Sequence, residues 1–277
     1  MKTIILFLTI TALAAAFPKT TKLHYRNLYK PPISGETKHK PNPRIIGGHE
    51  AIPHSIPYQA FLEIYADGEA YYCGGSLISQ NYVLTAAHCG VGVTEALVTL
   101  GAHKVFETED TQVKITSKEI KVHEEYDDNL IVNDIAVIKL PQPVNLTDSI
   151  KTVALPNKTD VNNTFVGTTA RISGWGLTSG FGDVSKVLLY VDVNVITNID
   201  CGNQFDEDFA DSVLCTSGDQ ETGSCNGDSG GPLVVDGVQI GVVSFGVMWC
   251  LPGYPSGFTR ITSFLDWIAT NSDVVIN

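Results

Sequence analysis

Residues 223–232 read Gly223-Ser224-Cys225-Asn226-Gly227-Asp228-Ser229-Gly230-Gly231-Pro232. Alone, the stretch is readable as a tight glycine-rich turn. Two earlier segments change that reading. One is Leu84-Thr85-Ala86-Ala87-His88-Cys89, the other Asn133-Asp134-Ile135-Ala136-Val137-Ile138-Lys139-Leu140. Each is bland by itself, since a His beside a Cys is commonly structural and an Asp commonly caps a turn. Together, in the order His, Asp, Ser, they offer a base, a carboxylate to orient it and a hydroxyl nucleophile, a set hard to obtain by coincidence.

Around these segments the chain alternates short runs rich in Val, Ile, Thr and Tyr with Gly, Asn, Asp and Pro. Strands are predicted at 60–65, 97–100, 113–115, 135–140, 169–173, 187–195 and 239–245. A body of this length built from short strands implies an all-β sandwich or barrels. A Pro-bearing stretch from Leu140 to Pro156 reads as a connector between two halves, 45–150 and 151–277. Phe264, Leu265, Trp267 and Ile268 fall at helical spacing and predict a terminal helix over Ser263–Thr270.

The composition excludes other classes. The chain has 277 residues, 43% hydrophobic and 17% charged, which is unlike a disordered chain, a coiled coil or a collagen. With 18 Lys+Arg against 30 Asp+Glu its net charge is −12, which argues against nucleic acid as a partner. The only long apolar run is N-terminal, so no internal membrane span is expected. The charge is uneven. Eight basic residues and one acid precede Ile45, leaving ten basic and 29 acidic residues after it, a net charge of −19.

Residues 1–16 read as a secretory signal, with Lys2 first, an apolar run from Ile4 and a small-residue end at Ala14-Ala15-Ala16. Residues 17–44 are basic, Pro-rich and without Cys, and cannot bury a core; they read as a propeptide. It ends at Arg44, before Ile45-Ile46-Gly47-Gly48, a site suited to a trypsin-like activating protease. Secretion gives the six cysteines an oxidising setting, and an even count suggests three disulfides, with about 15 pairings open to arithmetic. Asn145, Asn157 and Asn162 begin glycosylation sequons, which makes a glycoprotein an expectation.

These motifs resemble the chymotrypsin-like serine proteases, and secreted arthropod digestive chymotrypsins in particular, over essentially all of 45–277. The residues that carry the resemblance are Ile45–Gly48, Cys73–Ile78, Ala86–Cys89, Asn133–Leu140, Gly174-Trp175-Gly176 and Gly227–Pro232. The resemblance implies two antiparallel six-stranded Greek-key barrels with a C-terminal helix. It implies peptide hydrolysis without cofactor or metal, a monomer, protein substrates, and protein inhibitors as further partners. Ser229 would be the nucleophile, His88 its base, Asp134 the carboxylate behind His88, and the N–H groups of Gly227 and Ser229 the oxyanion hole. An imidazole suits the base because its ordinary pKa lies near 6.5. Ser244 would support Asp134. The pairings implied are Cys73–Cys89, Cys201–Cys215 and Cys225–Cys250.

Cleavage after Arg44 would free the Ile45 amine to pair with Asp228 and order the oxyanion hole. The His that restrains this carboxylate in some relatives is absent, since Tyr71 and Tyr72 precede Cys73. The pocket base would be Gly223, with Ser244, Phe245, Gly246 and Ser256 as walls. An uncharged, open slot favours large apolar or aromatic side chains. Calcium is not implied, because the relevant loop opens Gly101-Ala102-His103 without Glu. Glu107, Glu109 and Asp110 then read as a solvated turn, and His49, His54, His103 and His123 as surface residues. Three other readings stand beside digestion. They are a regulatory immune or clotting protease, a broad-specificity collagenolytic enzyme, and a non-catalytic homologue.

Overall fold

The computed structural model describes residues 47–277 except 67, 179–182 and 248–249. The expected signal, the propeptide, Arg44 and Ile45 lie outside the described residues. Among those described, no helix is long and apolar enough to cross a membrane.

Strands dominate, and one of them shows the period-two alternation of a half-buried strand plainly. In β10 (Leu189–Ile196) the buried positions are Leu189, Val191, Val193 and Val195, alternating with Asp192 and Asn194 outside. The first half contains β2 (Gln59–Ala66), β3 (Glu69–Leu77), β4 (Tyr82–Thr85), β5 (Glu95–Leu100), β6 (Val113–Ser117), β7 (Glu119–Val122) and β8 (Ala136–Lys139). Their order is β6-β5-β2-β3-β4-β8-β7. Only Lys118 separates β6 from β7, so the two ends of that order are one bent strand and the sheet closes as a six-stranded barrel. Ser117 makes the bend, donating Oγ–H to Lys139 O at 2.6 Å and accepting Glu119 N–H at 3.1 Å.

The second half contains β9 (Thr169–Gly174), β10, β11 (Val213–Thr216), β12 (Pro232–Val235), β13 (Val238–Phe245) and β14 (Ser256–Arg260). The order β10-β11-β14-β13-β12-β9 closes through a β10–β9 ladder, again six strands. The two-residue β1 (His49–Glu50) adds to an edge of β10. Both barrels are antiparallel throughout, as expected.

Each barrel has its own core. The first is built around Leu62, Leu84, Leu100, Ile135 and Ile138, the second around Ile172, Leu189, Leu214, Leu233 and Phe258. The expected terminal helix is α2 (Leu265–Asn271), preceded by a 3-10 turn at Ile261–Ser263. Leu265 and Ile268 of α2 pack into the first core, so the end of the chain straps the two halves together. Burying one such side chain contributes about 1.5–3 kcal/mol. A second helix, α1 (Asn198–Phe205), is absent from the sequence reading. Its signal is local: Thr197 caps it by accepting Asp200 N–H, and Cys201 within it is bridged to Cys215.

Two buried polar pairs cross between the barrels. Ser173 Oγ–H donates to Gln59 Oε1 and Ser76 Oγ–H to Gln239 Oε1, both at 2.6 Å. A buried amide oxygen needs a donor, so these pairs fix the relative setting of the two halves as well as joining them. That setting matters because the candidate site draws on both.

Candidate active site

His88 lies in a 3-10 turn (Ala87–Cys89) that begins two residues after β4. A disulfide from Cys89 to Cys73 ties the turn back to β3. Asp134 enters β8 from a loop in which Ile131 and Asn133 both adopt left-handed backbone, with φ of 53° and 57°. Asn tolerates that conformation, whereas a β-branched residue is strained in it.

Asp134 is 1% exposed, and a buried carboxylate has to be satisfied by donors. His88 supplies two: its backbone N–H to Oδ1 at 2.9 Å and its Nδ1 to Oδ2 at 2.8 Å. Because the carboxylate only accepts, Nδ1 carries the hydrogen and Nε2 is left as the acceptor. Nε2 is buried and has no hydrogen-bond partner among the described residues, so a proton acceptor stands unused at the front of the ring. Ser244 Oγ–H also donates to Oδ2, at 2.5 Å. Thr259 Oγ–H donates to the Asp134 carbonyl at 2.6 Å. Thr259 escaped the sequence reading because β14 meets Asp134 only in the folded chain.

Ser229 comes from the second half, partly exposed. Its carbonyl accepts Gly74 N–H from β3 at 2.7 Å, which pins the 227–232 turn to the first barrel. Gly230 has φ of 80°, and a Cβ there would lie 2.1 Å from Thr85 Oγ. Glycine is thus required beside Ser229 for both conformation and space. Neither Gly227 N–H nor Ser229 N–H donates to a backbone acceptor among the described residues.

Asp228, between them, is fully buried. It sits against Gly174-Trp175-Gly176, where a Cβ on Gly174 or Gly176 would come within 2.3 or 2.4 Å of the carboxyl group. Burial lifts its pKa to about 7, despite N–H donors from Cys225 at 3.0 Å and Gly176 at 2.8 Å that act to lower it. No cation pairs with it among the described residues.

A pocket opens beside Ser229, lined by Gly223, Ser244, Phe245, Gly246 and Ser256, with the Cys225–Cys250 disulfide on one side. Ser256 Oγ accepts Ser224 N–H at 3.2 Å and lies 3.0 Å from where a Gly223 Cβ would stand. Gly246 has open space about it. Among the described residues none that lines the pocket is acidic. Phe245 reaches it, but only 4% exposed: its ring packs on Phe205 and Phe209 and over Gly257.

Two surface assignments are corrected. His103 is 3% exposed, not a surface residue, because Glu50 Oε1 meets its Nε2 at 2.9 Å and the 101–112 loop closes over it. Glu109 is no free solvated acid either. Burial raises its pKa, but N–H donors from His103, Lys104 and Gln112 outweigh burial and hold it low. Among the described residues, the one cluster of metal-type side chains is Cys73, His88 and Cys89. Its two sulfurs are joined to each other, leaving a single free ligand.

A family model described as Trypsin matches residues 45–268. The chain is 40% identical to a chymotrypsin of Phaedon cochleariae over 98% of this chain and 97% of that one. It is 48% identical to a brachyurin of Leptuca pugilator, over 83% of this chain and 99% of that one. A solved structure of HL collagenase superposes with a TM-score of 0.78 at 36% identity, covering 84% of this chain and all of that one.

Proposed function

The chain belongs to the trypsin family of serine proteases, and from that premise we propose a secreted endopeptidase that cuts after large apolar or aromatic residues, made as a precursor activated by cleavage after Arg44. The observation that carries the specificity is the pocket floor, Gly223 beside Ser256, with no carboxylate to meet a basic side chain. In this reading Ser229 Oγ attacks the peptide carbonyl while His88 Nε2 takes its proton and later returns it to the leaving amine. Asp134 holds the ring in the tautomer that leaves Nε2 free. The N–H groups of Gly227 and Ser229 meet the oxyanion. Secretion is supported by the N-terminal signal pattern and three disulfides. A digestive role accords with the scarcity of Lys and Arg after Ile45, which leaves few sites for trypsin.

Activation is supported by two local facts. Gly47, two residues past Ile45, is packed against Glu221 and Thr222 at the edge of the pocket loop. Asp228 is a buried carboxyl with a raised pKa, which a cation would relieve. The linkage has a definite sign. In the uncleaved chain the folded carboxyl binds its proton up to about pH 7, while the unfolded one releases it near 4, so burial of Asp228 costs more stability as pH rises between those values. A paired Ile45 amine removes that cost. The melting-temperature gap between cleaved and uncleaved protein is therefore expected to widen from pH 4 to 7 and then level off. A gap that stayed constant with pH would separate Asp228 from activation.

The specificity test is a cleavage profile. The precursor is cut by trypsin, the trypsin removed, and the product given a mixed peptide library beside an uncut control. Cuts after Phe, Tyr and Leu, in the cut sample alone, are expected. Cuts after Lys or Arg would transfer the reading to a regulatory cascade protease. A relative is named collagenase, so native triple-helical collagen belongs in the same assay as a second substrate. No cuts, with Ile45 verified as the N-terminus, would leave a non-catalytic binding role.

A further inference from the structure

β1 is a slender hold on the start of the body. Two residue pairs, His49–Tyr190 and Glu50–Leu189, and an Ala51 N–H bond to Leu188 O at 2.9 Å attach it to the second barrel. Two-residue ladders are weak, so a side-chain anchor matters here. Glu50 supplies one, its half-exposed carboxylate accepting from the buried His103 ring at 2.9 Å.

His103 is bonded on its other sides too. Its N–H donates to Glu109 Oε2 at 2.7 Å. Its carbonyl accepts Leu188 N–H at 2.8 Å and Trp175 Nε1–H at 3.1 Å. Trp175 stands between the two glycines that seat Asp228, and Gly176 N–H bonds that carboxyl directly. One residue therefore joins the strand five positions past the Arg44–Ile45 bond to the loop that receives Asp228.

We infer that Glu50 and His103 are positioning residues for activation, fixing the cut N-terminal segment in register with the Asp228 loop so that the Ile45 amine stays inserted. This rests on the activation reading above. Neither side chain is assigned contact with substrate. The charged groups around the ring are Glu50 on β1, Glu109 from its own loop, and His54, whose charge acts on Glu109.

The test compares full-length wild type, Glu50→Ala and Glu50→Gln, each cleaved after Arg44 with Ile45 verified as the N-terminus. Glu50→Ala is expected to hold the amine about tenfold less tightly, moving the alkaline limb down by about one pH unit. Glu50→Gln keeps an acceptor oxygen and is expected to recover most of that shift. The uncleaved Glu50→Ala chain loses the same His103 contact and is expected to melt somewhat below wild type, so the alkaline limb and the reactivity of the amine, not the melting temperature, separate positioning from general stability. Carbamylation of the Ile45 amine by cyanate reads the same hold without activity, and should run about tenfold faster in Glu50→Ala. Equal cyanate rates, or coincident alkaline limbs, would overturn the inference. A cleaved wild type that hydrolyses nothing would instead sink the peptidase reading, with the cyanate comparison still deciding the role of Glu50.

Discussion

Replacing Ser229 by Ala is expected to lower kcat by about a million-fold, with KM and melting temperature little changed. In the proposed mechanism catalysis by this group is covalent: without Oγ there would be no acyl-enzyme, and His88 Nε2 would have no nucleophile to deprotonate. Structural damage is expected to be slight because Ser229 is held by its backbone. Its carbonyl takes Gly74 N–H at 2.7 Å, and the turn around it is shaped by Gly230. The Ala variant keeps both N–H groups proposed for the oxyanion, so substrate and inhibitor binding should persist. The measurement is kcat on an ester substrate after cleavage at Arg44, with residual activity compared against buffer. A fall of less than about a hundredfold would mean that another group performs the attack, since an intact oxyanion hole and binding alone leave only a small fraction of the rate.

The strands were legible in the sequence as short Val-, Ile-, Thr- and Tyr-rich runs bounded by Gly, Asn, Asp and Pro, while their closure into two barrels was implied by the family resemblance. Leu189 to Val195 reads as a strand whether or not its partners are known, because one face must be apolar. The C-terminal helix was legible through the spacing of Phe264, Leu265 and Ile268. α1 was not, because a short helix with Asp, Gly, Asn and Gln in it carries little periodicity and is stabilised by a cap and a disulfide. The bend that merges β6 and β7 was likewise invisible, since it depends on Ser117 reaching a carbonyl of β8.

The candidate site divides along the same line. His88, Asp134 and Ser229 stand in short motifs that can be read locally. What sets their geometry cannot. Thr259 meets Asp134 from a strand 125 positions away and was not read, and Ser244, 110 positions away, was placed beside Asp134 only through the family resemblance. His103 looked like a surface residue because its partner Glu50 is 53 positions distant and its burial follows from loop closure. Contacts of long sequence separation leave no periodic trace, so residues that position are harder to read than residues that react.

Asp134 shows most directly what that positioning controls, and Asp134→Asn is expected to lower kcat about ten-thousandfold while the fold survives. The carboxylate accepts from His88 N–H at Oδ1, and from His88 Nδ1–H and Ser244 Oγ–H at Oδ2. An amide offers one acceptor oxygen and one donor nitrogen. If its oxygen were turned toward the His88 ring, its NH2 would face the His88 backbone N–H, two donors at 2.9 Å with neither able to reverse. If its oxygen faces the backbone N–H, the NH2 faces the ring, and the ring can answer by moving its hydrogen from Nδ1 to Nε2. Ser244 can answer too, since a hydroxyl accepts as readily as it donates. The second arrangement leaves every group satisfied, so it wins, and its consequence is that Nε2 carries a hydrogen and cannot take the proton of Ser229. KM should be nearly unchanged, because the pocket at Gly223 and Ser256 is untouched. Nitrogen NMR of His88 should find the hydrogen on Nε2 in the variant and on Nδ1 in the parent. A variant within tenfold of wild-type kcat, or one that kept the Nδ1 hydrogen, would mean that Asp134 does not act through the tautomer of His88.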